Sequence, residues 1–246
     1  MNHIIITGSS KGLGHSLATV AARSNTTLHL IARSNQQNLM EQLSLKGAHV
    51  FTYQFDLCRT DGIEVLTDQV FGNIPLNEAK RIFLINNAGL LEPVGPIGKY
   101  DTQAYRTNLE VNFVAPVLLC QEFIKRTVDS NAQLRILNVS SGASLKPYYG
   151  WSHYCSTKAG LDMMTSCIAL EHGERIGCAA YNPGRTDTGM QNTIRETTAD
   201  DFKHVQSFID AYEDGILNDP VEVATDMLAV LFAETFPVGE TVRFNR

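Results

Sequence analysis

Short apolar runs and helix-like stretches take turns along this chain from one end to the other. Strand-like runs fall at residues 3–7, 27–32, 48–55, 81–86, 134–140, 176–181 and 241–244. Helix-like stretches fall between them, at 12–23, 37–45, 62–71, 102–128, 152–171, 202–212 and 221–233. The runs are apolar throughout instead of alternating with polar residues, which is how strands covered on both faces read. Right-handed crossovers through the intervening helices then wind the strands into a parallel sheet with helices on both sides. The expectation is an α/β, doubly wound domain with a sheet of about seven strands. No linker, repeat or low-complexity tract interrupts the 246 residues, so 1–246 read as a single domain. Only the polar stretch 185–201 breaks the alternation.

Gly8-Ser9-Ser10-Lys11-Gly12-Leu13-Gly14 follows the first strand and opens the first helix. Glycines there allow a tight turn and let a phosphate approach the backbone, and the helix N-terminus adds free N–H groups. A plain glycine-rich turn has the same composition. The position between strand and helix favours a nucleotide-binding Rossmann domain. Arg33 follows the second strand, where an NAD-binding chain often carries an acid for the ribose hydroxyls. With Lys11 in the loop, two cations face the adenosine ribose, which suits the 2′-phosphate of NADP(H). Their alternative is a pair of solvated surface charges. Asp56-Leu57 closes the third strand, its carboxylate able to accept from an adenine amino group or to cap a helix.

Tyr154 and Lys158 stand four residues apart, which puts phenol and ammonium on one helix face. A cation beside a phenol favours phenolate and lowers a pKa that is ordinarily about 10. The pair therefore reads as a proton donor, with Ser141 upstream, or as a chance pattern on a surface helix. Composition narrows the field. A net charge of -6 without a basic run argues against nucleic acid and anionic membranes as partners. No apolar stretch reaches the roughly 18 residues of a membrane span. Met1-Asn2-His3 runs into Ile4-Ile5-Ile6 without the layout of a signal peptide. Five scattered cysteines read as free thiols of a reducing, cytoplasmic compartment. Cys155, beside Tyr154, reads as a small packing residue. The seven histidines lack metal-ligand spacing, so no metal is expected.

Taken together, these residues resemble the short-chain dehydrogenases/reductases. The shared elements are Thr7-Gly8 with Gly12 and Gly14, Asn86-Asn87-Ala88-Gly89 and Asn112, followed by Ser141, Tyr154 with Lys158, and Pro183-Gly184 leading to Thr188. They cover nearly the whole chain in order. Residues 139–158 and 183–197 look like the sepiapterin reductase branch and its bacterial benzil reductases, which reduce an aromatic diketone to (S)-benzoin. Ser140-Ser141-Gly142-Ala143 and Thr157-Lys158-Ala159-Gly160 lean toward the bacterial type.

The resemblance implies NADP(H) held by Ile6, Gly8, Ser10, Lys11, Gly12, Leu13, Gly14, Arg33, Asp56, Leu57, Asn87, Ala88, Gly89, Tyr154, Lys158, Pro183, Gly184, Thr186 and Thr188. It implies Tyr154 as proton donor, Ser141 as hydrogen-bond donor to the substrate carbonyl, and Lys158 as the group that lowers the phenol pKa. Asn112 is implied to position a water linking Lys158 to solvent. Residues 185–215 are implied to form a mobile substrate cover. Tyr148, Tyr149, Trp151 and Met190 are candidates for an aromatic-friendly pocket wall with Ser141 and Tyr154. Arg243 stands where sepiapterin reductases carry a pterin-anchoring acid, and a cation cannot accept those hydrogen bonds. The expected activity is NADPH-dependent reduction of a small aromatic ketone or 1,2-diketone by a homodimer or homotetramer. The alternatives are a pterin or other secondary-alcohol oxidoreductase, and a non-catalytic NADP(H) sensor.

Overall fold

The computed structural model describes residues 1–245. Its centre is a seven-stranded sheet in the order β3-β2-β1-β4-β5-β6-β7, with every neighbouring pair parallel. The strands are β1 Asn2–Thr7, β2 Thr26–Ala32, β3 His49–Gln54, β4 Arg81–Asn86, β5 Gln133–Val139, β6 Ile176–Asn182 and β7 Thr241–Arg243. Side chains alternate between faces along each strand. In β1, Ile4 and Ile6 join the core on one side, with Leu17 and Met227, while Ile5 joins the other, with Leu66 and Phe123. The first core packs beneath α1 Gly12–Ala21, α2 Gln37–Leu45 and α9 Pro220–Phe232. The second packs beneath α3 Ile63–Phe71, α5 Ala115–Thr127 and α6 Ser152–His172. Two covered faces explain why the inner strands read as continuous apolar runs. The edge strands differ: β3 keeps only Tyr53 buried, and no residue of the three in β7 is buried. Each has one neighbour in the sheet, so neither is enclosed as the sequence pattern implied.

Two further elements depart from the expectation. The stretch 102–128 is not one helix but α4 Thr102–Leu109, a π turn Glu110–Val114, and α5. Pro116 has no N–H to give the carbonyl of Asn112 four residues earlier, so the regular α pattern cannot run through this point. The polar stretch 185–201 is also not irregular throughout: it contains α7 Gly189–Arg195, which packs against α8 Val205–Glu213. β1 pairs with β2 on one side and β4 on the other, so the winding direction reverses there. The crevice above the carboxyl ends of the strands at such a reversal is where doubly wound sheets place their ligands.

Candidate active site

A cleft of about 1390 Å³ opens at that reversal. It runs from the loop after β1, past Arg33 and Asp56 at one end, to Ser141, Tyr154 and Trp151 at the other. The glycine loop is shaped by contact. Gly8 has φ +68°, in the left-handed region that favours glycine. A Cβ on Gly14 would overlap the carbonyl oxygen of Gly8 and lie 2.5 Å from Asn87 Nδ2. Thr7 joins this loop to the one after β4: its Oγ1 accepts from the N–H groups of Asn87 and Ala88, each at 3.0 Å. Asn87 Nδ2 in turn donates to Thr7 O at 2.9 Å. No side chain caps α1, so its first N–H groups are available at the cleft.

Lys11, Arg33 and Ser34 line the same end. Buried Gln36, absent from the sequence reading, fixes this corner. Ser9 Oγ donates to Gln36 Oε1 at 2.7 Å, and Gln36 Nε2 donates to Leu30 O at 3.2 Å. The glycine loop and the loop carrying Arg33 are thereby tied together. Asp56 lines the cleft while its Oδ1 accepts from Cys58 N–H at 3.0 Å, so it also stabilises the local turn. Ile6 lies outside the cleft wall, fully buried in the core beneath it.

At the other end, α6 presents Tyr154 and Lys158, 6% and 4% exposed. The Lys158 ammonium donates to the Val139 carbonyl at 2.8 Å and lies 5.8 Å from the centre of the Tyr154 ring. Spacing alone led to a lowered phenol pKa; the structure reverses that direction. Burial pushes Tyr154 up to about 12, with a Ser141 hydrogen bond pulling the other way. Burial also pushes Lys158 down to about 8, opposed by the charge of Asp162. A four-residue spacing reports a shared face and carries no information about desolvation, which is the larger effect here. Ser141 is in extended backbone, and its Oγ accepts from Ala143 N–H at 3.2 Å.

Asn112, in the π turn, is fully buried. Its Oδ1 accepts from Leu90 N–H at 2.8 Å, while Nδ2 donates to Leu90 O at 2.7 Å and to Asn108 Oδ1 at 2.8 Å. The amide thus holds the strand exit after Gly89. A Cβ on Gly89 would sit 3.4 Å from Asn112 Oδ1 and 3.7 Å from Lys158 Nζ, so the glycine leaves a gap between these two groups.

The segment from Pro183 to Thr188 folds over the middle of the cleft. Gly184 takes φ +68°, and Asn182 Oδ1 accepts its N–H at 3.0 Å. Asn218, another residue without a sequence signal, donates from Nδ2 to Pro183 O at 3.0 Å, and its backbone pairs with Arg185 and Asp187. Above Tyr154 a third apolar cluster forms the roof. Trp151 stacks on Phe202 at 4.3 Å and 4°, with Phe208 edge-on at 5.6 Å. Tyr148, Trp151 and Met190 line the cleft, as expected of a pocket wall, but Tyr149 does not: it is 45% exposed and outside the cavity wall. Leu91, without a sequence signal, lines it too, as do Arg185, Gln191, Ile194 and Phe208 from the segment 185–215 implied to cover the substrate. Their positions follow from the packing of α7 and α8, which local pattern does not reveal. Arg243, in register with Asn182 across β6 and β7, also lines the cleft.

Among the described residues there is no group of three or more His, Cys, Asp or Glu arranged to hold a metal, and no helix long and apolar enough to cross a membrane. All five cysteines are free thiols.

Residues 2–199 match the family model described as short chain dehydrogenase. A benzil reductase ((S)-benzoin forming) from Bacillus cereus is 36% identical over 248 residues, covering 100% of both chains. The sepiapterin reductase of Xenopus laevis is 30% identical, over 98% of this chain and 94% of its own. The crystal structure of the KRED1-Pglu enzyme is similar with a TM-score of 0.85 at 28% identity, over 98% of this chain and 100% of its own. The family match over most of the chain, the full-length likeness to a benzil reductase and the cleft at the sheet's reversal agree: this chain belongs to the short chain dehydrogenase family, oxidoreductases that bind a nicotinamide cofactor.

Proposed function

We propose that this chain reduces a small aromatic ketone or 1,2-diketone with NADPH, using Tyr154 as the proton donor. One observation carries the reading. A single cleft joins a glycine-lined phosphate cradle to a buried serine, tyrosine and lysine under an aromatic roof.

The cradle fits a dinucleotide. The close approach at Gly8 and Gly14 leaves backbone where a side chain would stand, and the uncapped start of α1 offers N–H groups to a pyrophosphate. Lys11 and Arg33 supply charge for a 2′-phosphate, with Ser34 as a further donor. Asp56 and Leu57 line the same end and would hold the adenine, and Asn87 to Gly89 would hold the ribose and phosphates. Pro183, Gly184, Thr186 and Thr188 line the middle of the cleft, where they would hold the nicotinamide. When bound, the nicotinamide supplies the hydride that reaches the carbonyl carbon.

Ser141 donates a hydrogen bond to the carbonyl oxygen, where negative charge develops. Tyr154 then gives its phenolic proton to that oxygen, and the carbonyl becomes a secondary alcohol. A phenol with a raised pKa stays protonated at neutral pH, and an alkoxide is basic enough to take its proton. Lys158, held on the Val139 carbonyl, stabilises the resulting phenolate. The gap left by Gly89 between Asn112 and Lys158 suits a water that returns a proton from solvent.

The apolar, aromatic roof of Trp151, Phe202 and Phe208 favours an aryl substrate. Arg243 at the cleft wall disfavours a pterin, whose amino edge needs an acceptor. A panel of carbonyl compounds with NADPH and NADH side by side tests this reading. Benzil with NADPH should be consumed fastest. Absence of turnover across the panel, with NADPH shown to bind, would contradict it.

A further inference from the structure

Two polar groups in the substrate end of the cleft have no partner. Trp151 is 4% exposed and its indole nitrogen makes no hydrogen bond among the described residues. Gln191, in the first turn of α7, is 6% exposed, and its Oε1 is sealed from solvent with no partner. Both residues line the cleft. A buried polar group left unpaired costs stability, and of the ten such side-chain atoms among the described residues these two alone belong to residues that line the cleft. Ile194, one turn after Met190, packs in the same apolar cluster as Tyr154 and Trp151, which puts the α7 wall over the reaction end.

The chemistry of the unpartnered groups narrows the ligand. Indole N–H only donates. With its oxygen sealed, the group Gln191 has for a ligand in the cleft is its NH₂, a donor. A ligand that brings acceptors and no donors suits an NH₂ at this wall, whereas one that brings donors finds no acceptor in Gln191. A 1,2-dicarbonyl is such a ligand: one oxygen goes to Ser141 and Tyr154, and the adjacent oxygen is left to be bound. A pterin instead brings an amino group and a ring N–H, which need acceptors.

We propose that Gln191 hydrogen-bonds the second oxygen of a 1,2-dicarbonyl substrate and so selects dicarbonyls over simple ketones. This inference rests on the carbonyl-reductase reading given above. It makes Gln191 a specificity residue with no part in hydride or proton transfer.

The test compares benzil with deoxybenzoin, in which a methylene replaces the second carbonyl. Wild type and Gln191→Met are assayed on both with NADPH. Methionine keeps the length and approximate volume of the side chain and removes its hydrogen bonds. The ratio of kcat/KM for benzil over deoxybenzoin should fall by about tenfold in the variant, the size of one lost hydrogen bond to a substrate. Activity on deoxybenzoin should stay within about twofold of wild type. Because the two substrates differ in intrinsic reactivity, the change in ratio between proteins is the relevant quantity. An unchanged ratio would overturn the inference and leave the carbonyl-reductase reading standing. Failure of wild type to reduce either compound would overturn both. Thermal melting provides a second readout. The Met variant should melt at or above wild type, because an amide without a protein partner is being removed. A clear drop in melting temperature would show that the amide is bonded within the protein and would overturn the inference.

Discussion

At Tyr154 two effects compete, and burial wins. The phenol is enclosed by Trp151 and the apolar cluster above it, so the neutral form is favoured and the pKa rises to about 12. The ammonium of Lys158 is itself desolvated and bound to Val139. Spacing in the sequence was enough to place both groups on one face of α6. It was not enough to order desolvation against Coulombic attraction, since burial depends on residues such as Phe202, far along the chain. The same limit separates Tyr148 from Tyr149: adjacent aromatics look alike in the sequence, yet only the first lines the cleft. Arg33 is simpler, because the end of a strand beside a glycine loop fixes its surroundings. Replacing it with Ala should raise the KM for NADPH by about tenfold or more, the scale of a charge-assisted hydrogen bond, with far less effect on NADH. Steady-state kinetics with both cofactors checks this, and equal effects on both would remove Arg33 from the 2′-phosphate.

At the scale of elements, strand positions were readable from short apolar runs, and the structure moves their ends by only a residue or two. The π turn at Glu110–Val114 has a sequence signal in Pro116, while the bonds that Asn112 makes there go to Leu90, a residue remote in sequence. Helix α7 was hidden because it is short and sits in a polar stretch. Polar residues within the strands also carry packing that apolar runs do not reveal. Arg135, on β5, reaches through the core and donates to the carbonyls of Leu231 and Ala233 at 2.7 Å each, closing the end of α9. Arg135→Leu should cost about 2–3 kcal/mol in urea unfolding, the scale of hydrogen bonds from a charged group, and Arg135→Lys should restore only part of it.

Across β1, β2 and β3 runs a buried chain of hydrogen bonds. His3 Nδ1 is 3.2 Å from His29 Nε2, His29 Nδ1 is 3.1 Å from the Tyr53 hydroxyl, and Asn73 Nδ2 donates to that hydroxyl at 3.3 Å. Burial lowers His3 from 6.5 to about 4 and His29 to about 3. Because both folded values lie below the unfolded one, the unfolded chain binds more protons as pH falls. The contribution of this pair is therefore complete above pH 6.5 and is lost as pH drops from there, through about 4 for His3 and about 3 for His29. Melting temperature followed over that range should fall more steeply in wild type than in His29→Phe, which keeps the stack on Phe51. Parallel curves would rule out this pair as the source.

For the molecule as a whole, charge is unevenly spread. The chain carries -6, yet the cleft is lined by Lys11, Arg33, Lys146, Lys158, Arg185 and Arg243 against only Asp56 and Glu92. A cationic cleft in an acidic protein draws in an anionic dinucleotide. Net charge in the sequence pointed away from nucleic acid and concealed this local reversal, because cations distant in sequence meet only in the fold. The single sheet and its shared cores imply one cooperative unfolding transition. Calorimetry should show that transition shifted upward by NADPH more than by equimolar NADH, with the difference shrinking as salt is added. Two separated transitions would contradict a single domain. Proton donation by Tyr154 is read from the rate of NADPH oxidation with benzil in wild type and Tyr154→Phe at saturating cofactor. The expected result is a loss of about a thousandfold in kcat with NADPH binding retained; a variant that keeps the wild-type rate would show that Tyr154 is not the proton donor.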